Sequence, residues 1–542
     1  MASEYKLKNI TALPQDAGDS LEAEVEGLDG AKVLLVHTGD SVQAIGPKCT
    51  HYGAPLIKGI VSKDGRITCP WHGACFSTKT GDIEDAPALD ALPTFKVAER
   101  NGSVFITGEP AVLKSGRRKP HFSCPEITST DAGVVVVGGG SGTIGLVEGL
   151  RLKGYEGKIT VVTTEGYLPV DRPKLSKALI GDPAKIALRP QEWFDEGRVE
   201  FVHDEVTGVD VEKKAVATKA GKTLSYTKLV LAPGGTPNRL PLPGIRELGN
   251  IFTLRTAHDA AAITAAIGSK GKKIVVVGSS FIGLEVANAV AADNTVCIIG
   301  QEKTPLENVL GSQVGESVKK GLEAKGIKFY MSASTKKALA SKSDTSLVGA
   351  VELCDGTVLE ADLVILGVGV KPATGFLKDN APFSLEKDGS LITNAWFQVL
   401  GVSDVYAVGD IAKFPYAGPG GTGAPVRIEH WNVAQKSGRI AAAHIVDSGI
   451  DAEIFIPVFW SALAAQLRYC GNTANGYDDV VVQGSLDSGK FVAFYTKGEV
   501  IVAVATMGKD PVMAKAVELM RLGKMPSKGQ VSEGVDVLSL DL

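Results

Sequence analysis

Cysteine is scarce in this sequence, and neither sign of charge dominates it. The 542 residues include seven cysteines and carry a net charge of −4. A disulfide scaffold would be shorter and richer in cysteine, and a nucleic acid or an anionic membrane would favour a basic chain. We therefore expect no such scaffold and no nucleic-acid partner. Four cysteines lie apart from any ligand pattern and are expected to be buried or inert thiols: Cys124, Cys297, Cys354 and Cys470.

Long apolar runs are missing as well. No stretch reaches the length of about 20 residues that a membrane-spanning helix needs. The first ten residues, MASEYKLKNI, lack the apolar centre of a secretory signal and the arginine-rich character of a transit peptide. We therefore expect no membrane span and a cytoplasmic location, with the mitochondrion as the alternative.

The length of the chain suggests about three or four domains. Residues 1–108 have the short β-segments of an all-β domain, and residues 109–131 have the composition of a linker. Two strand–helix–strand patterns then begin near Val134 and Ile274. The predicted fold is therefore multidomain: an all-β domain, two α/β Rossmann-like dinucleotide-binding domains and a small α+β domain. The expected boundaries are 132–255 with 376–454 for the first dinucleotide-binding domain, 256–375 for the second domain inserted in it, and 455–542 for the last.

Two short motifs in the first domain each contain one cysteine and one histidine. Cys49 and His51 stand in the first motif, and Cys69 and His72 in the second. In a Rieske [2Fe–2S] centre, two thiolates hold one iron and two imidazoles hold the other, and the potential is raised to roughly −150 to +300 mV. We therefore predict that these four residues bind a Rieske cluster.

A tetrahedral zinc site is the alternative, since it also takes two cysteines and two histidines. Zinc fingers, however, pair cysteine with cysteine and histidine with histidine, whereas each motif here has one of each. The stretches CTHYGAPL and CPWHGACFSTKTGD closely resemble Rieske ferredoxins. Rieske proteins of respiratory complexes also join the two loops by a disulfide, but Ala54 and Trp71 stand at those positions here. The resemblance therefore implies the ferredoxin-like branch, at the lower end of the range of potentials.

The first Rossmann-like pattern has a glycine-rich turn, GGGSGTIG at 138–145, between a strand and a helix. Glycine permits the tight turn and lets backbone N–H groups approach a pyrophosphate at the positive end of the helix. Glu165, at the end of the next strand, is the candidate for the ribose hydroxyls. Two registers of the glycine motif are open: Gly138 with Gly140 and Thr143, or Gly140 with Gly142 and Gly145.

The second pattern has the turn GSSFIGLE at 278–285, in which Ser280 replaces the middle glycine. The acid that usually follows the second strand is missing, since Gly300 stands there. Glu302 comes two residues later and would take the ribose diol of NADH, whereas the neighbouring Lys303 would favour the phosphate of NADPH. Of the two cofactors, we favour NADH.

Residues from about 133 to 470 resemble the apoptosis-inducing-factor and ferredoxin-reductase branch of two-dinucleotide flavoproteins. With the Rieske motifs, nearly the whole chain is similar to apoptosis-inducing factor 3-like proteins, although the likeness is thinnest after residue 475. The resemblance implies FAD in the first dinucleotide-binding domain and NAD(P)H in the second. It rests on LPVDRPKLSKAL at 168–179, LVLAPGG at 229–235, ADLVILGVGVKP at 361–372, VYAVGDIA at 405–412 and VRIEHWNVAQKSG at 426–438.

The resemblance also implies roles for particular residues. Lys177 would stabilise the reduced, anionic flavin near its N5 atom, and Trp460 would stack near the isoalloxazine ring. Asp410 would accept a hydrogen bond from the ribityl chain, while Glu285 and His430 would contact the nicotinamide. The catalytic candidates are therefore Lys177, Trp460 and Glu285. The other residues expected at the two dinucleotides are Gly138, Gly140, Ser141, Gly142, Thr143, Glu165, Arg172, Val206, Glu429, Trp431, Gly278, Phe281, Ile282, Glu302 and Gly369.

The implied function is that of an NAD(P)H-dependent flavoprotein oxidoreductase of the ferredoxin reductase type. FAD would take a hydride from NAD(P)H and pass single electrons to the cluster, which would serve an unidentified acceptor. The alternative is an NADH-responsive redox sensor with slow turnover. Disulfide reductases carry a Cys-x₄-Cys pair after the first fingerprint, but this chain has RPKLSK at 172–177, so thiol–disulfide catalysis is not expected. The oligomeric state is open, with a homodimer as the candidate.

Overall fold

The computed structural model describes residues 2–39, 41–120, 122, 132–378 and 380–542. Cys124 and most of the C-terminal part of the expected linker lie outside these residues. Within them, no helix is long and apolar enough to cross a membrane. Of the scattered cysteines, Cys470 is buried and Cys297 is half-buried, whereas Cys354 is exposed and is therefore not protected by burial.

The N-terminal domain is built from two antiparallel sheets. Its strands are β1 (Ser3–Lys6), β2 (Ser20–Glu24), β3 (Lys32–Thr38), β4 (Ser41–Ile45), β5 (Ile60–Val61), β6 (Arg66–Thr68), β7 (Cys75–Ser77), β8 (Ile83–Asp85), β9 (Thr94–Arg100) and β10 (Ser103–Gly108). Six strands form one sheet in the order β1-β10-β9-β4-β3-β2, and the other four form a smaller sheet in chain order. Alternate residues of β10 are buried, as expected of a strand with one face on a core. The two cysteine–histidine loops connect β4 to β5 and β6 to β7.

A short helix, α1 (Pro110–Ser115), stands where the sequence has the composition of a linker. It begins with proline in its first turn and ends at Gly116 in the left-handed conformation, which is the usual asymmetry of helix ends. Leu113 is buried against the six-stranded sheet. This helix therefore packs on the N-terminal domain.

The first dinucleotide-binding domain has a mostly parallel sheet in the order β13-β12-β11-β16-β15-β14, and β28 extends it beside β16. The run Val134–Val137 in β11 is buried throughout, because helices cover both faces of a parallel sheet. Helix α2 packs along α8, and both are largely buried. The elements are β11 (Gly133–Val137), α2 (Ser141–Leu152), β12 (Ile159–Thr163), α3 (Pro173–Ala178), α4 (Gln191–Glu196), β13 (Val199–His203), β14 (Val206–Asp210), β15 (Ala215–Thr218), β16 (Thr223–Leu231), β17 (Gly235–Pro237), β27 (Leu391–Ile392), β28 (Val405–Ala407), β29 (Ala412–Pro415), β30 (Pro425–Val426) and α8 (Trp431–Val446).

The second dinucleotide-binding domain is inserted in the first and repeats its plan. Its elements are β18 (Ile251–Thr253), α5 (Ala257–Ile267), β19 (Lys273–Val277), α6 (Phe281–Val290), β20 (Thr295–Ile299), α7 (Glu307–Glu323), β21 (Lys328–Tyr330), β22 (Thr335–Ala340), β23 (Val348–Leu353), β24 (Val358–Glu360), β25 (Leu363–Leu366) and β26 (Val370–Pro372). A five-stranded parallel sheet has the order β18-β25-β19-β20-β21, and β22, β23 and β24 form a second, antiparallel sheet. Strands β17 and β26 pair where the two domains join.

The C-terminal domain is an antiparallel sheet with a helix packed on one face. Its elements are β31 (Val458–Ala462), β32 (Gln466–Gly471), β33 (Asp479–Ser485), β34 (Lys490–Lys497), β35 (Val500–Met507), α9 (Val512–Arg521) and α10 (Lys528–Ser532). The strand order is β31-β32-β35-β34-β33. Strand β31 and helix α9 both reach the N-terminal domain, and they determine what surrounds the cysteine–histidine loops.

Candidate functional site

The two cysteine–histidine loops have the same backbone hydrogen bonds. In the first loop the Cys49 N–H donates to the carbonyl of Ala54, and the Gly53 N–H donates to the carbonyl of Cys49, at 2.8 and 2.9 Å. In the second loop the same bonds join Cys69 with Ala74 and Gly73 with Cys69, at 2.8 and 3.2 Å. Each loop therefore directs one cysteine and one histidine to the same side.

The four predicted cluster ligands face one another between these loops. The Nδ1 atoms of His51 and His72 are 3.1 Å apart, and the thiols of Cys49 and Cys69 hydrogen-bond to each other. Burial lowers the pKa of His51 to about 3 and that of His72 to about 2. Both imidazoles are therefore neutral at pH 7, the form that binds a metal.

The geometry bears on the choice between a cluster and a zinc ion. The four donors form two like pairs, since the Nδ1 atoms of His51 and His72 are 3.1 Å apart and the thiols of Cys49 and Cys69 are adjacent. A structural zinc ion would need four donors around a single centre, whereas a Rieske cluster needs two donors at each of two irons. The donor set fits the Rieske cluster.

A large cavity of about 1080 Å³ opens between the first dinucleotide-binding domain, the second and β31. Most of the residues expected at FAD and NAD(P)H form its wall, namely Gly138, Gly140, Ser141, Gly142, Glu165, Arg172, Lys177, Val206, Phe281, Ile282, Glu285, Asp410, Glu429, Trp431 and Trp460. Five of the expected residues lie outside this wall: Thr143, Gly278, Glu302, Gly369 and His430.

The first glycine motif is tightly packed at some positions and open at others. Gly138 has φ of +108°, and a Cβ atom there would lie 2.1 Å from the carbonyl oxygen of Ala232, so only glycine can make this turn. Gly140 precedes α2, and nothing lies within 4 Å of where its Cβ would be, which leaves room for a pyrophosphate. The Thr143 hydroxyl donates to the carbonyl of Gly138 at 2.6 Å. Gly140 belongs to both registers, and Gly145 of the second also has no room for a Cβ atom, which would lie 2.0 Å from the carbonyl oxygen of Gln435. Both registers of the fingerprint therefore remain predictions.

Glu285 is the most enclosed charged group of the cavity, with 2% exposure. Its carboxylate pairs with Lys177 Nζ at 2.9 Å. It also accepts hydrogen bonds from the hydroxyls of Ser176 and Ser461, at 2.5 and 2.6 Å. Three domains thus meet at this carboxylate, because α6 supplies Glu285 while α3 and β31 supply its partners. The ion pair fixes the lysine at the wall.

Two arginines form ion pairs with the acidic residues that the sequence predicted to bind FAD. Arg172 donates to both carboxylate oxygens of Glu165, at 2.9 and 3.0 Å. Arg255 pairs with Asp410 at 2.9 Å and also lines the cavity. Sequence reasoning did not find Arg255, since it follows the short strand β18 and belongs to no motif.

In the second dinucleotide-binding domain, Glu302 is bound to the glycine-rich turn. The Ser279 hydroxyl donates to its carboxylate at 2.9 Å, whereas the neighbouring Lys303 is exposed. His430 stands just before α8, with its ring 5.0 Å from that of Phe459. Burial lowers its pKa to about 4, so this histidine is neutral at pH 7.

Trp460 belongs to both sites, as does Val458 of the same strand. It lies in β31, is 5% exposed and forms part of the cavity wall. Its ring centre is also 4.6 Å from that of His72 and 5.7 Å from that of His51. The sequence predicted Trp460 beside the flavin but did not indicate its contact with the cluster ligands. One indole therefore separates the nucleotide cavity from the cluster site.

A buried ion network fixes the N-terminal domain beside its first loop. Arg189 pairs with Asp90 at 2.5 Å and with Glu148 at 3.2 Å, and Arg439 pairs with Glu148 at 2.8 Å. Asp90 belongs to the N-terminal domain, and its carbonyl accepts the Thr50 hydroxyl at 2.5 Å. Removing one member of such a network leaves a buried charge unpaired and costs about 3–5 kcal/mol, so the network favours one arrangement of the two domains.

A second buried carboxylate fixes the other loop. Glu518 of α9 is completely buried and accepts hydrogen bonds from Thr68 and Arg521, each at 2.7 Å. Arg66 of the N-terminal domain lies 3.5 Å from the same carboxylate, and Lys436 of α8 pairs with Asp85 at 3.0 Å. The loops are thus attached to two different domains.

Comparison with known proteins agrees with this arrangement. Residues 132–438 match the family model "Pyridine nucleotide-disulphide oxidoreductase", residues 4–96 match "Rieske [2Fe-2S] domain", and residues 458–538 match "Reductase C-terminal". Putidaredoxin reductase CamA of Pseudomonas putida is 31% identical over 401 residues, which are 69% of this chain and 88% of that protein. The crystal structure of the covalent putidaredoxin reductase–putidaredoxin complex aligns with a TM-score of 0.70 and 27% identity, covering 76% of this chain and 98% of the other.

The chain therefore belongs to the pyridine nucleotide-disulphide oxidoreductase family, as a flavoprotein of the ferredoxin reductase type with its own Rieske domain. Apoptosis-inducing factor 3 of Homo sapiens is 37% identical over 535 residues, which are 96% of this chain and 86% of the human protein. The resemblance predicted from the motifs is thus confirmed over nearly the whole length. The predicted fold class is also confirmed, and so is the cofactor set of FAD, NAD(P)H and a [2Fe–2S] cluster.

Proposed function

We propose that the flavin and cluster sites of one chain exchange electrons in the docked arrangement, with Trp460 as the contact between them. The protein is an NAD(P)H-dependent flavoprotein oxidoreductase, in which FAD converts the two electrons of a hydride into the single electrons that a Rieske cluster accepts. The observation that carries the proposal is the position of the Trp460 ring, at the cavity wall and 4.6 Å from the His72 ring.

The residues of the cavity would bind and orient the two dinucleotides. The open backbone at Gly140 and the start of α2 would accept the pyrophosphate of FAD. Arg172 and Arg255 keep Glu165 and Asp410 in place. Lys177, paired with Glu285 at 2.9 Å, would keep a cation at the flavin, and buried Trp460 would exclude water between the two sites.

NADH is the proposed donor, because Glu302 is held at the second glycine-rich turn. A carboxylate there would accept from the ribose hydroxyls and repel the phosphate of NADPH. Substituting Glu302→Gln should raise KM for NADH more than KM for NADPH, and Lys270→Gln, at an exposed lysine of the same domain, serves as the control. An equal change in both constants would contradict the assignment.

An anaerobic NADH titration of the holoprotein tests the relay. We expect loss of flavin absorbance followed by the EPR signal of a reduced Rieske cluster. Bleaching without cluster reduction would contradict the proposal, and a stable charge-transfer band with slow turnover would support the sensor function instead.

Stopped-flow measurements on Trp460→Leu then test the contact. Because Trp460 also lines the nucleotide cavity, flavin reduction by NADH is measured in the same variant. The rate of cluster reduction relative to flavin reduction should fall by about tenfold or more, since loss of a positioning contact has effects of that size or larger. Trp396→Leu is the control, because that tryptophan stacks on His444 and lines no part of the cavity. Equal rates in both variants would show that Trp460 is not the contact.

The oligomeric state and the cellular location of the protein are also proposals. We propose a homodimer, as the sequence resemblance suggested, and light scattering of the holoprotein would contradict it by giving the mass of a single chain. We also propose the cytoplasm, with the mitochondrion as the alternative. Fractionation of cells expressing the full chain tests the location.

A further inference from the structure

The two cluster loops differ in what covers them. In the second loop His72 is 7% exposed, and a Cβ atom on Gly73 would lie 3.0 Å from Val458 of the C-terminal domain. In the first loop Tyr52 is 38% exposed, and nothing lies within 4 Å of where a Cβ on Gly53 would be. The cluster site is therefore closed on the side of the second loop and close to solvent at the first.

Tyr52 connects a cluster ligand with the surface. Its ring stacks on that of His51, with centres 3.7 Å apart and planes inclined by 18°. Its hydroxyl donates to the Asp171 carboxylate at 2.5 Å. Because this hydrogen bond joins the first loop to the first dinucleotide-binding domain, the exposed ring is held in one orientation over the ligand.

We propose that electrons leave the cluster at the first loop, through a surface centred on Tyr52 that binds an acidic electron-accepting protein. This inference rests on the proposed function, in which electrons arrive from the side of Trp460. One electron passes from the reduced cluster to the oxidised acceptor, and no bond is made or broken. An acceptor protein can then bind at the exposed Tyr52 ring while the domains stay docked.

The charge around Tyr52 defines the kind of partner. Residues 47–59 contain two lysines and no acidic residue. In the neighbouring segment Arg172 and Lys177 are paired with Glu165 and Glu285 at the cavity wall, which leaves Lys174 beside Tyr52. Lys48 and Lys58 are exposed, and Lys174 Nζ lies 5.2 Å from the centre of the Tyr52 ring. The nearby Asp171 is buried and already bound by Tyr52 and Lys174. In a chain of net charge −4, this basic surface favours an acidic partner.

Oxidants of opposite charge test the surface. The holoprotein is reduced with dithionite, and oxidation of the cluster is followed after mixing with ferricyanide, an anion, or with hexaammineruthenium(III), a cation. In Lys48→Glu/Lys58→Glu we expect oxidation by ferricyanide to slow by about tenfold at low salt and oxidation by the ruthenium complex to speed up. Both effects should fade at 0.5 M salt, because charges are then screened within a few Å.

A matched control changes the same charge elsewhere. Lys270→Glu/Lys336→Glu reverses two exposed lysines of the second dinucleotide-binding domain and should leave both rates near those of the wild type. Equal effects of the two double variants would overturn the proposal, because they would report net charge alone. The Cys49→Ser variant measures oxidation that bypasses the cluster.

The tyrosine itself and a protein partner are tested in the same assay. Tyr52→Leu should slow oxidation by both small oxidants, while Tyr52→Phe, which keeps the ring, should not. Reduced holoprotein should react faster with cytochrome b5, which is acidic, than with basic cytochrome c, and the preference should be lost in Lys48→Glu/Lys58→Glu. A preference for the basic protein would contradict the assignment.

Failure of this inference and failure of the proposed function give different results. Dithionite reduces the cluster directly as well as the flavin, so the oxidation step, followed by the EPR signal of the cluster, is measured whether or not NADH reduces the cluster. If NADH fails to reduce it but the charge effects appear, only the proposed relay is wrong. If NADH reduces it but reversed lysines have no effect, only the exit surface is wrong.

Discussion

The two loops that carry the predicted cluster ligands have the same backbone conformation but different surroundings. Both loops have the same pair of main-chain hydrogen bonds and a glycine of left-handed conformation, with φ of +77° at Gly53 and +71° at Gly73. The first loop stands at the surface, whereas the second is enclosed by β31 and α9. Nothing in the loops themselves imposes this difference. It follows from where the other domains pack, so a symmetric ligand set becomes a site with an inner side and an outer side.

The largest expected effect is loss of the cluster itself, which both loops are predicted to bind. Cys49→Ser and Cys69→Ser each take one thiolate from the same iron, so both variants should lose the cluster. We expect iron to fall from about two atoms per chain to nearly none, measured together with acid-labile sulfide. NADH should still reduce the flavin, because the nucleotide cavity is separate. A variant that keeps its iron would show that the cysteine is not a ligand.

A matched pair of glycine substitutions tests the enclosure of the second loop. Gly53→Ala and Gly73→Ala carry the same backbone cost of about 1–2 kcal/mol for the left-handed conformation. Only Gly73→Ala also meets Val458, at 3.0 to 3.4 Å, and overpacking adds about 1–3 kcal/mol. The temperature at which the cluster is lost, followed by its visible absorbance, should therefore fall further in Gly73→Ala. Equal shifts would mean that the C-terminal domain does not press on this loop.

The smallest expected effect concerns two threonines next to ligand cysteines. Thr68 donates to the carboxylate of Glu518, whereas Thr50 donates to the neutral carbonyl of Asp90. Loss of a hydrogen bond to a charged group costs about 1.5–3 kcal/mol, against about 0.5–1.5 kcal/mol for a neutral pair. Thr68→Val should therefore destabilise more than Thr50→Val in urea unfolding monitored at the cluster. The reverse order would show that Glu518 is not the main attachment of the second loop.

Local patterns made much of this molecule predictable. The cluster ligands fall within two segments of three and four residues, so their spacing alone indicates the cofactor. The buried valine run at Val134–Val137 and the glycines after it give the first dinucleotide-binding domain in the same way. Helix α1 was less evident because a linker composition hides its proline and glycine signals. In each case the information lies within a few consecutive residues.

The contacts between domains could not be predicted. Arg189, Asp90 and Glu148 come from different parts of the chain, and each alone has the appearance of an ordinary surface charge. The contact of Trp460 with His72 likewise depends on how the C-terminal domain packs on the N-terminal domain. Such juxtapositions are set by the packing of whole domains, and hydrophobic periodicity within one segment carries no information about them.

Because the Rieske domain is part of the same polypeptide, the amount of electron carrier is tied to the amount of reductase. A reductase with a separate ferredoxin works at a ratio that a cell can adjust by making more of either protein. Here translation fixes the ratio at one carrier for each flavin, and adding free carrier protein would not raise the rate of the internal step. The remaining variable is the concentration of whatever takes the electron next.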